Sequence, residues 1–151
     1  MKTITYSYYV LDIVHRGHLK MLSNAKKIAG ENGVSVVGIL TKEAVMEKKK
    51  KPILSFDERM NLAEAMECVD VVIPQDEYSP LKNLKAIKPD IHLESTSHDP
   101  KDINTITEYM NSINGRVIVI PYYPYTSSSK IKEKIANTSC VADVSCEKKV
   151  Q

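Results

Sequence analysis

Residues 3–41 read TITYSYYVLDIVHRGHLKMLSNAKKIAGENGVSVVGILT, and this stretch decides the architecture. Its first part, 3–11, is β-branched and aromatic, which predicts a strand. From 17 to 30, Leu19, Leu22, Ala25 and Ile28 recur at helical spacing, and Gly30 supplies a stop. Residues 34–41 are then a near-continuous apolar run, the pattern of a parallel strand buried on both faces. Strand, helix and strand in this order make a βαβ unit.

The rhythm continues outward. After a lysine-rich loop, Ser55-Phe56-Asp57-Glu58 has the spacing of a capping box and opens a helix with Met60, Leu62, Ala63, Met66 and Val69 on its apolar face. Residues 70–74 predict a short strand, and 80–88 a short helix begun by Pro80. A strand over 90–95, a helix over 102–114 stopped by Gly115, a strand over 116–121 and a serine-capped helix over 127–137 follow. Five strands alternating with helices predict a single α/β domain over 1–137, a Rossmann-like, doubly wound five-stranded parallel sheet. Residues 138–151 are weakly patterned and are expected to form a loosely ordered tail.

At 151 residues the chain is one domain's worth. Hydrophobic content of 42% and charged content of 26% are globular values. A net charge of +2 argues against a nucleic-acid or membrane binder but leaves room for a small anion held by a local cluster. Neither a long apolar run nor a signal-peptide pattern stands in the sequence. Cys68, Cys140 and Cys146 lack CxxC spacing, so reduced thiols and a cytoplasmic location are expected.

Ligands of doubly wound sheets sit beyond the carboxyl ends of the strands. Neither a Gly-rich dinucleotide fingerprint nor a GxxxxGK[ST] loop occurs. The segment after the first strand is Asp12-Ile13-Val14-His15-Arg16-Gly17-His18. At this composition, HxGH is expected by chance about 0.003 times. It stands at a helix N-terminus, where free N–H groups attract phosphate. Imidazoles there can donate to phosphate oxygens as charge builds, and Gly17 lets the backbone come close. The plainer alternative is two surface histidines near a cap. No third ligand at metal spacing completes a site, so no protein-held metal is expected.

Asp12–His18 resembles the HxGH nucleotidylyltransferase superfamily. Lys50 to Arg59, running on to Val69–Pro74, is similar to its cytidylyltransferase branch, which includes glycerol-3-phosphate, choline-phosphate and ethanolamine-phosphate cytidylyltransferases and the phosphonate-biosynthesis domains. The likeness spans about residues 3–135. It implies in-line attack of a phosphate or phosphonate oxygen on the α-phosphorus of CTP, with loss of pyrophosphate and no covalent enzyme intermediate. The acceptor oxygen is already ionised near neutral pH, so little base work is implied. Mg²⁺ is implied as cofactor, bound through the nucleotide phosphates.

By the same resemblance His15 and His18 are the signature pair on the triphosphate. Lys50 and Lys51 match catalytic basic residues on the loop after the second strand, and Arg59 a catalytic, acceptor-binding arginine. Ser127, Ser128 and Ser129 match a turn that holds the β- and γ-phosphates; Tyr9, Asp12 and Gly17 complete the nucleotide site. Each has a plainer reading: a solvated loop for Lys48–Lys51, an ion pair with Asp57 or Glu58 for Arg59, an ordinary cap for the serines. Members of the branch are often homodimers, which the likeness also implies.

Three departures stand out. Where the branch has glycine before the motif Asp, Tyr8, Tyr9 and Val10 stand here. Its G-D-D-W becomes Ser95-Thr96-Ser97-His98 after Glu94, and its R-T-x-G-I-S becomes Tyr122-Tyr123-Pro124-Tyr125-Thr126-Ser127. A changed acceptor site using His98 and Tyr122 is one reading, and a weakened nucleotide site the other. The expected activity is CMP transfer from CTP to a small alkyl phosphate or phosphonate. The alternatives are an adenylyltransferase of the same superfamily and a non-catalytic nucleotide-binding module.

Overall fold

The computed structural model describes residues 1–147, with side chains through Thr138. Five parallel strands form one sheet: β1 (Ile4–Tyr9), β2 (Val34–Leu40), β3 (Val71–Gln75), β4 (Ile91–Ser95) and β5 (Arg116–Ile120), in spatial order β3-β2-β1-β4-β5. The chain winds outward from β1 to β3, then crosses back to β4 on the far side of β1. The switch point therefore lies between β1 and β4. Register runs Ile4 opposite Val34 and Tyr6 opposite His92.

Both faces are covered. Helices α1 (Arg16–Ala29) and α3 (Phe56–Glu64) lie on one face, where Leu11, Leu22, Val37, Ile39 and Ala63 pack together. On the other, α4 (Leu81–Ile87) and α5 (Pro100–Ser112) enclose Tyr6, Val36, Leu84, Ile106 and Met110. Alternate residues of β2 thus serve opposite cores, and every β2 residue after Val34 is buried, as its apolar run predicts. Gly38 makes room for the Tyr6 ring: a Cβ there would stand 2.0 Å from the Tyr6 hydroxyl.

Several boundaries differ from the sequence reading. A short helix α2 (Lys42–Met46), capped by Thr41 accepting from Ala44 N, starts the stretch read as loop. Leu19 and Leu62, expected on apolar helix faces, are 47% and 38% exposed. Helix α5 ends before Gly115; the left-handed residue at its end is Asn114. Helix α6 (Ser128–Glu147) runs past Asn137, so the boundary drawn there does not end the helix, and residues 148–151 lie outside the described residues. None of the described helices is long and apolar enough to cross a membrane.

Candidate active site

The loops after β1, β4 and β5 and the lysine loop surround one cleft of about 1150 Å³ at the carboxyl edge of the sheet. His15, His18 and Ser127–Ser129 line it together. The two segments are stitched directly: the Ser128 hydroxyl donates to the Ile13 carbonyl at 2.8 Å. Ser127 also caps α6, accepting from Lys130 N at 3.1 Å.

The histidine pair is built into the helix start. His15 is the N-cap of α1, and its Nδ1 accepts from Gly17 N at 3.0 Å. His18 reaches back, its Nδ1 accepting from His15 N at 3.3 Å. Amide N–H groups only donate, so each Nδ1 is an acceptor and each neutral ring carries its proton on Nε2. Burial depresses the pKa of both rings. For His18, burial, the neighbouring His15 and Lys49 bring it to about 4. Two neutral imidazoles, centroids 4.1 Å apart, thus offer Nε2–H donors. Gly17 is required here, since a Cβ would stand 2.7 Å from His15 Cε1 and 3.3 Å from Tyr123 Cδ1. Tyr9 lines the cleft and meets His18 edge-on at 6.2 Å.

Asp12 lines the cleft, but its carboxylate is fully engaged. It accepts from Ile53 N at 2.9 Å, Leu54 N at 2.8 Å and the Lys132 ammonium. Burial opposes its ionisation, and those three bonds outweigh burial and lower its pKa. Expected to touch the nucleotide, Asp12 lines the cleft and ties the lysine loop and α6 to the motif. Leu11, just before it, is buried with a φ of 57°, a strained turn at the strand end.

The lysines divide. Lys49 and Lys50 line the cleft. Lys48 pairs with Asp102 at 2.7 Å and lies over the Tyr78 ring. Lys51, expected beside Lys50, lines a separate hollow with Thr41, Phe56 and Glu58. The adjacent lysines emerge on different sides of the loop.

Arg59 requires the largest correction. It is 0% exposed and does not line the cleft. Its Nη1 donates to the Val10 and Leu40 carbonyls at 2.8 and 2.7 Å, clamping the ends of β1 and β2. It makes no ion pair with Asp57 or Glu58, and its Nε and Nη2 are buried without a hydrogen-bond partner. His98 and Tyr122 do line the cleft. Tyr8, one of the residues standing where the branch has glycine, lines it too.

Sequence reasoning missed Lys132, Lys49 and Glu94. Lys132 stands one turn after Ser128 on α6, a spacing that signals a shared face. For Glu94 the signal was its place at the carboxyl end of a predicted strand, where wound sheets bind ligands. Among the described residues, no three His, Cys, Asp or Glu side chains converge to hold a metal.

Helix-end amides, paired imidazoles and a hydroxyl turn share one cleft at the carboxyl edge of a parallel sheet, the place where α/β domains bind their ligands. The chain belongs to the cytidylyltransferase-like family, whose model matches residues 10–134, and is thus a member of a nucleotidyltransferase family. It is 30% identical over 139 residues to the bifunctional protein HldE of Citrifermentans bemidjiense, an alignment covering 91% of this chain and 28% of that protein. It is also 30% identical over 136 residues to the FAD synthase of Korarchaeum cryptofilum, covering 87% of this chain and 90% of that one. A solved lipopolysaccharide core biosynthesis protein from Thermoplasma volcanium shares the fold, with a TM-score of 0.69, 23% identity, and coverage of 83% of this chain and 100% of that chain.

Proposed function

We propose that the chain transfers a nucleotidyl group from a nucleoside triphosphate, CTP in the first instance, to an oxygen of a small phosphate- or phosphonate-bearing acceptor, releasing pyrophosphate. The carrying observation is that His15, His18 and Ser127–Ser129 share one cleft. The Nε2–H groups of the two histidines donate to triphosphate oxygens, and those bonds strengthen as charge passes to the leaving pyrophosphate. Ser127 and Ser129, with the first N–H groups of α6, hold the β- and γ-phosphates. Lys49 and Lys50 offset charge shared between the α-phosphate and the acceptor. Catalysis is then positioning and electrostatics.

Mg²⁺ bound to the triphosphate would neutralise part of its charge. The residues present suit an ion carried by the nucleotide, because the Asp12 and Glu94 carboxylates already have partners. A homodimer is part of the proposal from the family likeness, and a cytoplasmic location from the cysteine spacing.

The donor base has a second reading. A relative named FAD synthase, matched over 90% of its length, supports adenylyl transfer from ATP. The lysine loop and the Ser55–Arg59 helix support CTP. Pyrophosphate release with each nucleotide, across a panel of alkylphosphonates and phosphoalcohols, separates them. CTP turnover is expected to exceed ATP turnover, and His18→Ala to cost about 10²–10³-fold in kcat. Faster turnover with ATP would move the donor to the adenylyl reading. Nucleotide binding without pyrophosphate from any acceptor would make the chain a binding module.

A further inference from the structure

A second polar group opens on the same cleft from the opposite face of the sheet. Successive residues of β1 point to opposite faces. Tyr9 meets His18 on the α1 face, whereas Tyr8 meets His98 on the other, with centroids 5.5 Å apart. Behind His98 lies Glu94, 1% exposed. One carboxylate oxygen lies 2.8 Å from His92 Nε2, and the other is hydrogen-bonded to His98 Nδ1. His92 is anchored in turn, with its Nδ1 3.1 Å from the Tyr6 carbonyl. Burial would raise the pKa of Glu94, but the bonds from His92 and His98 outweigh it and hold it near about 2, so the group is a carboxylate.

A carboxylate on Nδ1 fixes the tautomer of His98. The proton sits on Nδ1 and the lone pair on Nε2, the ring nitrogen left to the cleft that His98 lines. Buried carboxylate, imidazole and open nitrogen form a proton-accepting relay. The two aspartates of the family likeness are replaced by Thr96 and Ser97, and Glu94 and His98 stand on either side of those positions.

We propose that His98 is the general base of the reaction, taking the proton from a P–OH of a monoanionic phosphate or phosphonate acceptor, with Glu94 as the positioning residue behind it. This rests on the nucleotidyl-transfer reading above. The P–OH proton passes to His98 Nε2, and the oxygen's electron pair forms the new bond to the α-phosphorus. The bond from that phosphorus to the bridging oxygen breaks, its electrons leaving with pyrophosphate. His98 then returns the proton to solvent. Charged and titratable groups surround the relay on every side. Tyr8 and Tyr6 come from β1, His92 from β4, Asp99 and Asp102 from the start of α5, Tyr78 from the loop before α4, and Lys48 and Lys49 from the loop after α2. Lys48 is neutralised by Asp102.

The test uses the best acceptor of the panel above and its α,α-difluoromethylene phosphonate analogue, whose second proton is far more acidic. Near pH 6, His98→Ala is expected to lose about 10²-fold in kcat with the ordinary acceptor and less than about tenfold with the fluorinated one, while the nucleotide KM stays within about twofold. His98→Gln, which lacks a basic nitrogen, should behave as His98→Ala. Glu94→Gln should show the same selective loss, with far-UV circular dichroism confirming that it folds; should it not fold, the two His98 variants decide. Equal losses on both acceptors, a loss confined to nucleotide KM, or full rescue by Gln would overturn the proposal. A wild-type protein that releases no pyrophosphate from any pair would overturn the transfer reading and this proposal together. Wild-type turnover with equal variant losses would overturn the base alone.

Discussion

His15 and His18 do at one position what a Ser–Glu capping box does elsewhere: each ring accepts a backbone N–H at the start of α1. That capping turns both Nε2–H groups outward, and burial keeps them uncharged near neutrality. The consequence for pH is definite. His18 titrates near about 4 in the folded chain and near about 6.5 when unfolded. Between these values the unfolded chain binds the extra proton, so stability is full above about pH 6.5, falls as pH drops, and levels off below about 4. Imidazole NMR should place the His18 midpoint near the lower value. The urea midpoint should decline across that window, with a shallower decline in His18→Gln. A His18 that titrates near 6.5 would refute the buried, neutral donor.

Among the elements, α3 was legible because its start signal is local: Ser55 accepts from Glu58 N at 3.2 Å and Glu58 returns the bond to Ser55 N at 2.8 Å. Helix α2 was not, since five residues, Lys42–Met46, are too few to show a period. Arg59 shows how an element can place a side chain against its type. It is on α3, which packs flat on the sheet, so a residue that looks suited to an anion is driven inward onto two strand-end carbonyls. Arg59→Met should cost about 1–2 kcal/mol in urea denaturation, because both carbonyls lose a buried donor while the unpartnered Nε and Nη2 are removed from the interior. The folded fraction should keep its acceptor KM within about twofold. A large rise in acceptor KM without loss of stability would return Arg59 to the site.

For the molecule as a whole, the connecting point is Asp12. One carboxylate draws together the lysine loop through Ile53 and Leu54, α6 through Lys132, and the motif it belongs to. The loop that carries Lys49 and Lys50 over the cleft is held by that residue. Asp12→Asn should cost about 1–3 kcal/mol, Lys132 being partly solvated. It should speed hydrogen exchange at the Ile53 and Leu54 amides and lower turnover. Unchanged exchange at those amides would show that Asp12 does not hold the loop.

The order of strands and helices, the parallel sheet, the capped helix starts and the meeting of His15 and His18 with the serine turn could all be read from the chain. These follow from periodicity, from caps a few residues long, and from the rule that strand ends gather at one edge of a wound sheet. Folding alone settled which way single charged side chains turn. Lys50 and Lys51 are neighbours in sequence and part company in space. Arg59 is swallowed by the strand ends, and Glu94 disappears beneath His98. Residue type tells what a side chain can bind, but the side of a loop or helix it faces depends on packing against elements distant in the chain, and local sequence carries no record of that.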